Sequence, residues 1–228
     1  MSLSLTIPLP PAATPRASSP TGRGVAAALL SVAPKPERNA EHAMERDEEI
    51  ELMQRTGQGD AQAYRALADH FLPRIVAYCT RLLGNPTEAE DVAQETFLRL
   101  WKQADRWKPD ARLSTWLFRI AHNRCIDRLR KRRESSPDHL DRQSIGDRPS
   151  ALMLRKQIAS AVELALSELP ERQRAAISLS HYEGLSNPEI AEVLDVSVEA
   201  VESLLSRGRR TLRRELASLH AHLQGQDR

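Results

Sequence analysis

Aromatic side chains are scarce, making up 4% of the 228 residues. With so few rings, a core must be built from Leu, Ile, Val and Ala, a palette that favours helices over strands. No stretch alternates polar and apolar residues as a half-buried strand would. Cysteine is rarer still. Cys79 and Cys125 lie far apart within apolar stretches, without a CxxC or Cys/His cluster, so two buried free thiols are expected and no metal, with pairing or a response to oxidants the alternative. The longest apolar patch, "GVAAALL", is too short to span a bilayer and lies behind prolines, so a soluble, cytoplasmic chain without membrane insertion is expected. No HExxH or Walker-type glycine loop is present, the seven histidines are scattered, and the carboxylates fall at cap or surface positions. Neither catalysis nor a cofactor is expected. The net charge of +2 is too small to mark a nucleic-acid binder by itself, so any such role must rest on where the charge is concentrated.

What is present is helical periodicity in two blocks. Residues 1–46 are rich in Pro, Ala and Ser and are expected to form a disordered, dispensable extension, with Met44 a candidate natural start. From 47 to 133, apolar positions such as Met53, Leu67, Phe71, Ile75 and Cys79 recur at helical spacing. The turn "GNPTEAE" offers Thr87 as an N-cap, with Glu90 completing a capping box. Residues 134–152 are Ser-, Asp- and Pro-rich and read as a linker. Periodicity returns over 153–217, followed by a short tail, 218–228. The expected fold class is all-α: two small helical domains joined by a flexible linker, the C-terminal one a helix-turn-helix.

That C-terminal motif is the clearest local signal. In "EGLSNPEIAEVLDVSVEAVESLLSRGRRTLR", Ser186 and Glu189 form a capping box, Pro188 sits harmlessly in the first turn, and Ile190, Ala191, Val193 and Leu194 face inward. After the break at "DVS", Ser197 caps a second helix whose inner stripe is Val198, Val201, Leu205 and Leu212. In a helix-turn-helix the outer face of that second helix enters the DNA major groove. A second concentration of charge closes the first block. Between Arg119 and Arg133, six arginines and Lys131 stand against Asp127 alone, a net +6, with Arg124, Arg128 and Arg132 on one face. Trp107, Trp116 and Phe118 lie just upstream, a combination suited to stacking bases and neutralising phosphates; core packing is the alternative for Trp116 and Phe118, and Trp107 is the better candidate for an exposed ring.

One residue breaks the pattern. In "AEDVAQETFLRLW", Ala89, Ala93, Thr96, Phe97, Leu100 and Ala104 share one side of a helix, while Leu98 falls opposite, among Asp91, Gln94, Glu95 and Lys102. Taken in order, this acidic helix, "WKPDARLSTWLFRIAHNRCIDRLRKRR", the linker and the helix-turn-helix resemble bacterial RNA polymerase sigma factors of the extracytoplasmic-function group in the sigma-70 family. The resemblance runs from about residue 48 to 216.

The resemblance implies a promoter-directing subunit that binds core RNA polymerase at its β′ clamp and β flap, recognises duplex and melted promoter DNA, and serves a stress or environmental response. By the same resemblance, an anti-sigma factor would hold it silent. The polymerase-binding residues would be Asp91, Gln94, Glu95 and Leu98, with Leu98 an exposed anchor ringed by charge. The melted minus-ten strand would be read by Trp107, Lys108, Asp110, Arg112, Ser114, Trp116, Arg119, Asn123, Arg124 and Arg128. The minus-thirty-five duplex would meet Ser197, Glu199, Ala200, Glu202, Ser203, Ser206, Arg207, Arg209 and Arg210. Glu202 departs from relatives that carry arginine there, so the promoter sequence does not transfer. Two rival readings are a stand-alone helix-turn-helix regulator, which accounts for the C-terminal half alone, and an RNA-binding protein using the basic helix.

Overall fold

The structure, a computed structural model, describes residues 44–135 and 162–225, where the regular elements are all helical. In chain order they are α1 (Arg46–Gly57), α2 (Ala61–Leu83), α3 (Pro86–Gln103), α4 (Leu113–Ser135), helical residues 162–167, α5 (Glu171–Ile177) running into a π-helical turn (Ser178–Tyr182), α6 (Asn187–Leu194) and α7 (Val198–Gly225). The Pro-rich extension before Met44, residues 136–152 of the predicted linker, the first residues of the predicted second domain (153–161) and the last three residues of the tail lie outside the described residues, while the first two linker positions, 134 and 135, continue α4.

Helix α2 is the hub of the first group. It starts where the Asp60 carboxylate accepts hydrogen bonds from the backbone N–H groups of Gln62 and Ala63, at 2.8 and 3.2 Å, satisfying donors that the helix cannot pair itself. It stops at Gly84, whose φ of 68° is the left-handed conformation that glycine tolerates. Between those ends Leu67, Phe71, Ile75, Tyr78 and Leu82 bury one continuous stripe, against which α1, α3 and α4 pack. Tyr78 closes the contact with α4: its ring meets Phe118 edge to face at 5.4 Å, and its hydroxyl pairs with His122 Nδ1 at 3.0 Å. Burial holds the His122 imidazole down to about 4, so it packs as a neutral ring. Cys79 and Cys125 are buried free thiols as expected, and the neighbouring Cys79 together with burial pushes the Cys125 thiol up.

The cap of α3 corrects the predicted one. Asn85, not Thr87, is the N-cap, its side chain accepting from the Glu88 backbone N–H at 3.2 Å. The reason is Pro86: its fixed φ and missing donor suit the first helical position, which pulls the start two residues back. The helix-turn-helix follows its prediction more closely. Ser186 and Glu189 form the capping box, Asp195 turns the chain at φ 52°, and Ser197 Oγ accepts from the Ala200 backbone N–H at 3.2 Å. Gly208 lets α7 lie close on α5, since a Cβ there would meet Ile177 Cγ1 at 3.0 Å.

The two helical groups are not held apart. Helix α6 packs on α4, and α5 on α2. Glu183, 4% exposed, sits between two arginines of α2: Arg74 Nε donates to its carboxylate at 3.1 Å and Arg81 Nη2 at 2.9 Å, while Arg74 Nη2 also reaches its backbone oxygen. Arg174 of α5 donates to the backbone oxygen of Leu82 at 3.1 Å, pairing an end carbonyl of α2 that no helical donor reaches. Removing one partner of a buried ion pair costs ~3 to 5 kcal/mol, because the other charge is left uncompensated. Glu183→Gln is therefore expected to loosen the contact between the groups while each stays helical. Small-angle scattering should show a larger radius of gyration with unchanged far-ultraviolet circular dichroism; an unchanged scattering curve would contradict the clasp.

Candidate functional site

Three exposed faces carry the residues singled out in the sequence. The first is the outer side of α3. Ala89, Val92, Ala93, Thr96, Phe97, Leu100 and Ala104 are buried against the hub, and Asp91, Gln94, Glu95 and Leu98 are exposed on the other side. Leu98 is 57% exposed, a large apolar knob in a charged surround. Trp101, one turn on and 42% exposed, rests edge to face on Tyr64 at 5.2 Å and extends the apolar ridge. Its i, i+3 spacing from Leu98 was the available signal for this second apolar residue.

The second face lies at the loop between α3 and α4. An open pocket of about 410 Å³ is lined by Gln103, Arg106, Trp107, Lys108, Asp110, Ala111 and Trp116. Of the predicted readers, Trp107, Lys108, Asp110 and Trp116 thus come together; Arg106 and Gln103 join them from the end of α3. Both indoles are half-buried, so each has a packed edge and an accessible one, which corrects the expectation of a freely exposed Trp107. The loop is fixed from α1. Arg46 Nη2 donates to the Pro109 backbone oxygen at 2.8 Å, and the buried Glu49 carboxylate accepts from the Leu113 backbone N–H at 3.2 Å. Burial pushes the Glu49 carboxyl up, opposed by that hydrogen bond and by Arg112, Arg46 and Arg74.

Two predicted members of this face are placed otherwise. Ser114 is buried in the first turn of α4 because the helix begins at Leu113, one residue before it, and takes it out of the loop. Phe118 is fully buried against Tyr78, so core packing claims it. Arg112 is exposed beside the pocket, and Arg119, Asn123 and Arg124 are exposed along α4. Arg124 and Arg128 do not form an open cationic track, however. Arg128 Nη2 bonds Glu95 at 2.9 Å and its Nη1 meets Asp91 at 3.3 Å, while Arg124 Nε lies 3.6 Å from the other Glu95 oxygen. These pairs raise the Arg128 guanidinium further, against the lowering effect of its partial burial.

The third face is the outer side of α7. Glu199, Glu202, Ser203, Ser206, Arg207, Arg209 and Arg210 are exposed, and Ala200 is half-buried. The Glu199 carboxyl is held below the usual carboxylate range by its own backbone N–H and by Ser197, a cap-region role. Glu202 stands free of that cap geometry on the same exposed side. Among the described residues no group of three or more His, Cys, Asp and Glu could hold a metal, and no helix is long and apolar enough to cross a membrane.

Comparison with known proteins matches two family models to the chain, Sigma-70 region 2 at residues 67–135 and Sigma-70, region 4 at residues 159–212. The ECF RNA polymerase sigma factor SigW of Bacillus subtilis is 34% identical over 176 residues, covering 71% of this chain and 92% of that one. The RNA polymerase sigma-H factor of Pseudomonas aeruginosa is 31% identical over 185 residues, covering 76% and 96%. Among solved structures, the sigma factor RpoE of Bartonella quintana, in complex with the anti-sigma factor NepR, is similar with a TM-score of 0.57 and 25% identity, covering 68% of this chain and 98% of that one.

The contrast between neighbours on α3 is directly measurable. Phe97→Ala should cost ~3 to 5 kcal/mol of stability, the range for deleting a buried ring. Leu98→Ala, on the exposed side, should stay within ~0.5 kcal/mol. Chemical denaturation of the two variants tests the assignment, and a comparable loss for Leu98→Ala would place that side chain in the core.

Proposed function

The chain belongs to the extracytoplasmic-function RNA polymerase sigma factors of the sigma-70 family, and from that premise we propose how its three faces divide the work of starting transcription at chosen promoters. Residues 47–133 act as a region-2-like domain and 153–217 as a region-4-like domain. The chain itself performs no catalysis; it acts in the cytoplasm as a specificity subunit of the polymerase.

The outer face of α3 docks on the polymerase clamp. Leu98 supplies desolvated apolar contact, and Asp91, Gln94 and Glu95 select a partner of complementary charge. Next to it, the loop pocket takes a base from the unpaired minus-ten strand. A base can be read on its pairing edge only once it leaves the stack, and the cost of unstacking is offset by an aromatic surface and nearby cations. Trp107 and Trp116 provide the surfaces; Arg106 and Lys108 neutralise the flanking phosphates, and Asp110 can accept a hydrogen bond from a base amino group. Arg119 and Asn123 continue the path along α4. The pocket carries this reading, because a stand-alone regulator would need only α6 and α7 and would leave two indoles lining one pocket beside a basic helix without a task.

At the other end, α7 enters the major groove of the minus-thirty-five element. Ser203, Ser206 and Glu202 face base edges and Arg207, Arg209 and Arg210 face the backbone. The β flap supports this domain on the polymerase. An anti-sigma factor is the expected silencer, since the similar Bartonella structure is such a complex. The regulon is a stress or environmental one, in keeping with the group.

The division of labour makes promoter binding conditional on the polymerase. Purified chain alone should bind a cognate promoter duplex weakly, and chain plus core enzyme should bind it tightly and yield a run-off transcript. Tight, sequence-specific binding by the chain alone, with no effect on transcription by core enzyme, would favour the stand-alone regulator instead.

A further inference from the structure

The docking face of α3 and the basic helix α4 share their charged residues. Asp91 and Glu95 point out on the same side as Leu98, yet Glu95 has both oxygens engaged by α4, one by Arg128 at 2.9 Å and the other facing Arg124 at 3.6 Å. Asp91 meets the second nitrogen of the Arg128 guanidinium at 3.3 Å. That same nitrogen also reaches the Glu88 backbone oxygen in the first turn of α3, at 3.4 Å. Arg128 is 26% exposed in its side chain and its two carboxylate partners are 55% and 44% exposed, so the seam is open to solvent and to a partner.

Such a seam sets two binding events against each other. A carboxylate beside an arginine repels phosphate from it and supplies the counter-charge that nucleic acid would otherwise provide. We propose that Asp91 and Glu95 are internal counter-ions which keep Arg124 and Arg128 from nucleic acid in the free chain, and that a docking partner carrying its own cations takes over these carboxylates and frees the arginines for the melted strand. The partner's chemistry follows from the exchange: it must offer an apolar recess for Leu98 flanked by Lys or Arg reaching Asp91 and Glu95. Exposed pairs of this kind are weak enough to be exchanged without unfolding the helices. Polymerase docking and strand capture are then linked through one pair of carboxylates, with no movement of the backbone required.

This inference rests on the reading of α4 as a DNA-facing helix, and the experiment separates the two. The probe is a fluorescein-labelled single-stranded oligonucleotide of mixed sequence, titrated by anisotropy with the full free chain at several salt concentrations. Glu95→Gln should tighten binding by about threefold to fivefold and steepen the salt dependence by roughly one phosphate contact. Glu90→Gln changes the net charge equally on the same helix outside the seam, and should tighten it less than about twofold, as an exposed, screened charge does. In an Arg128→Ala background the Glu95→Gln gain should shrink to the size of that control. No gain from Glu95→Gln over Glu90→Gln, or a gain that persists without Arg128, overturns the counter-ion proposal. The DNA-facing role of α4 is judged apart, by Arg128→Ala in the assembled holoenzyme: normal promoter opening there would remove the reading on which the proposal rests.

Discussion

The buried stripe of α2 is the constraint from which the functional faces follow. Leu67, Phe71, Ile75, Tyr78 and Leu82 turn one side of that helix into a surface that α1, α3 and α4 must cover, which fixes which side of each covering helix is left out. Phe97 faces the stripe, so Leu98 cannot. Phe118 and His122 meet Tyr78, so Arg119, Asn123 and Arg124 face solvent. The same helix reaches across to the second group through Arg74, Arg81 and the end carbonyl that Arg174 pairs. The exposed ridge of α3 proposed for docking, the pocket proposed for a base and the basic helix are thus three consequences of one packing solution.

Periodicity made the helices and their inner faces legible. The apolar spacing in "AEDVAQETFLRLW" places Leu98 opposite the packed stripe, and the structure exposes it there; the capping box at Ser186 and the stripe of α7 are also as predicted. Local chemistry was less decisive where two signals competed. Thr87 and Glu90 spell a capping box, but Pro86 fixes the first turn earlier and gives the cap to Asn85. Ser114 reads as a loop residue after "WKPDAR", yet Glu49, distant in sequence, caps Leu113 and starts α4 before it. Long-range pairs were not legible at all. Nothing in the local pattern of α4 shows that Arg128 faces Asp91 and Glu95, or in "HYEGLS" that Glu183 is buried between two arginines of α2. Such contacts depend on how helices cross, and charged residues at helical spacing carry no information about which neighbour they will meet.

The closed contact between the two groups bears on how the faces are used. Thr115 of α4 reaches Glu189 of α6 at 3.4 Å, which brings the helix proposed to hold the melted strand against the helix-turn-helix. Promoter elements centred about 25 base pairs apart are separated by roughly 85 Å at 3.4 Å per step. With the roles proposed for them, the two groups cannot reach both elements while they stay in contact. Ion pairs and hydrogen bonds join the groups alongside apolar packing, and the contact must open for both elements to be reached. Opening is therefore part of the account.

In the proposed function this chain lets the polymerase open a promoter and holds the unpaired strand in the pocket of Trp107 and Trp116. Permanganate reactivity of thymines tests it most directly, because it reports unpaired bases rather than binding. With core polymerase and the chain present, thymines around the minus-ten element should become reactive, and Trp107→Ala should suppress that reactivity while the complex still assembles on the duplex. Full reactivity with Trp107→Ala and with Trp116→Ala would contradict the claim, since the strand would then be held without the pocket.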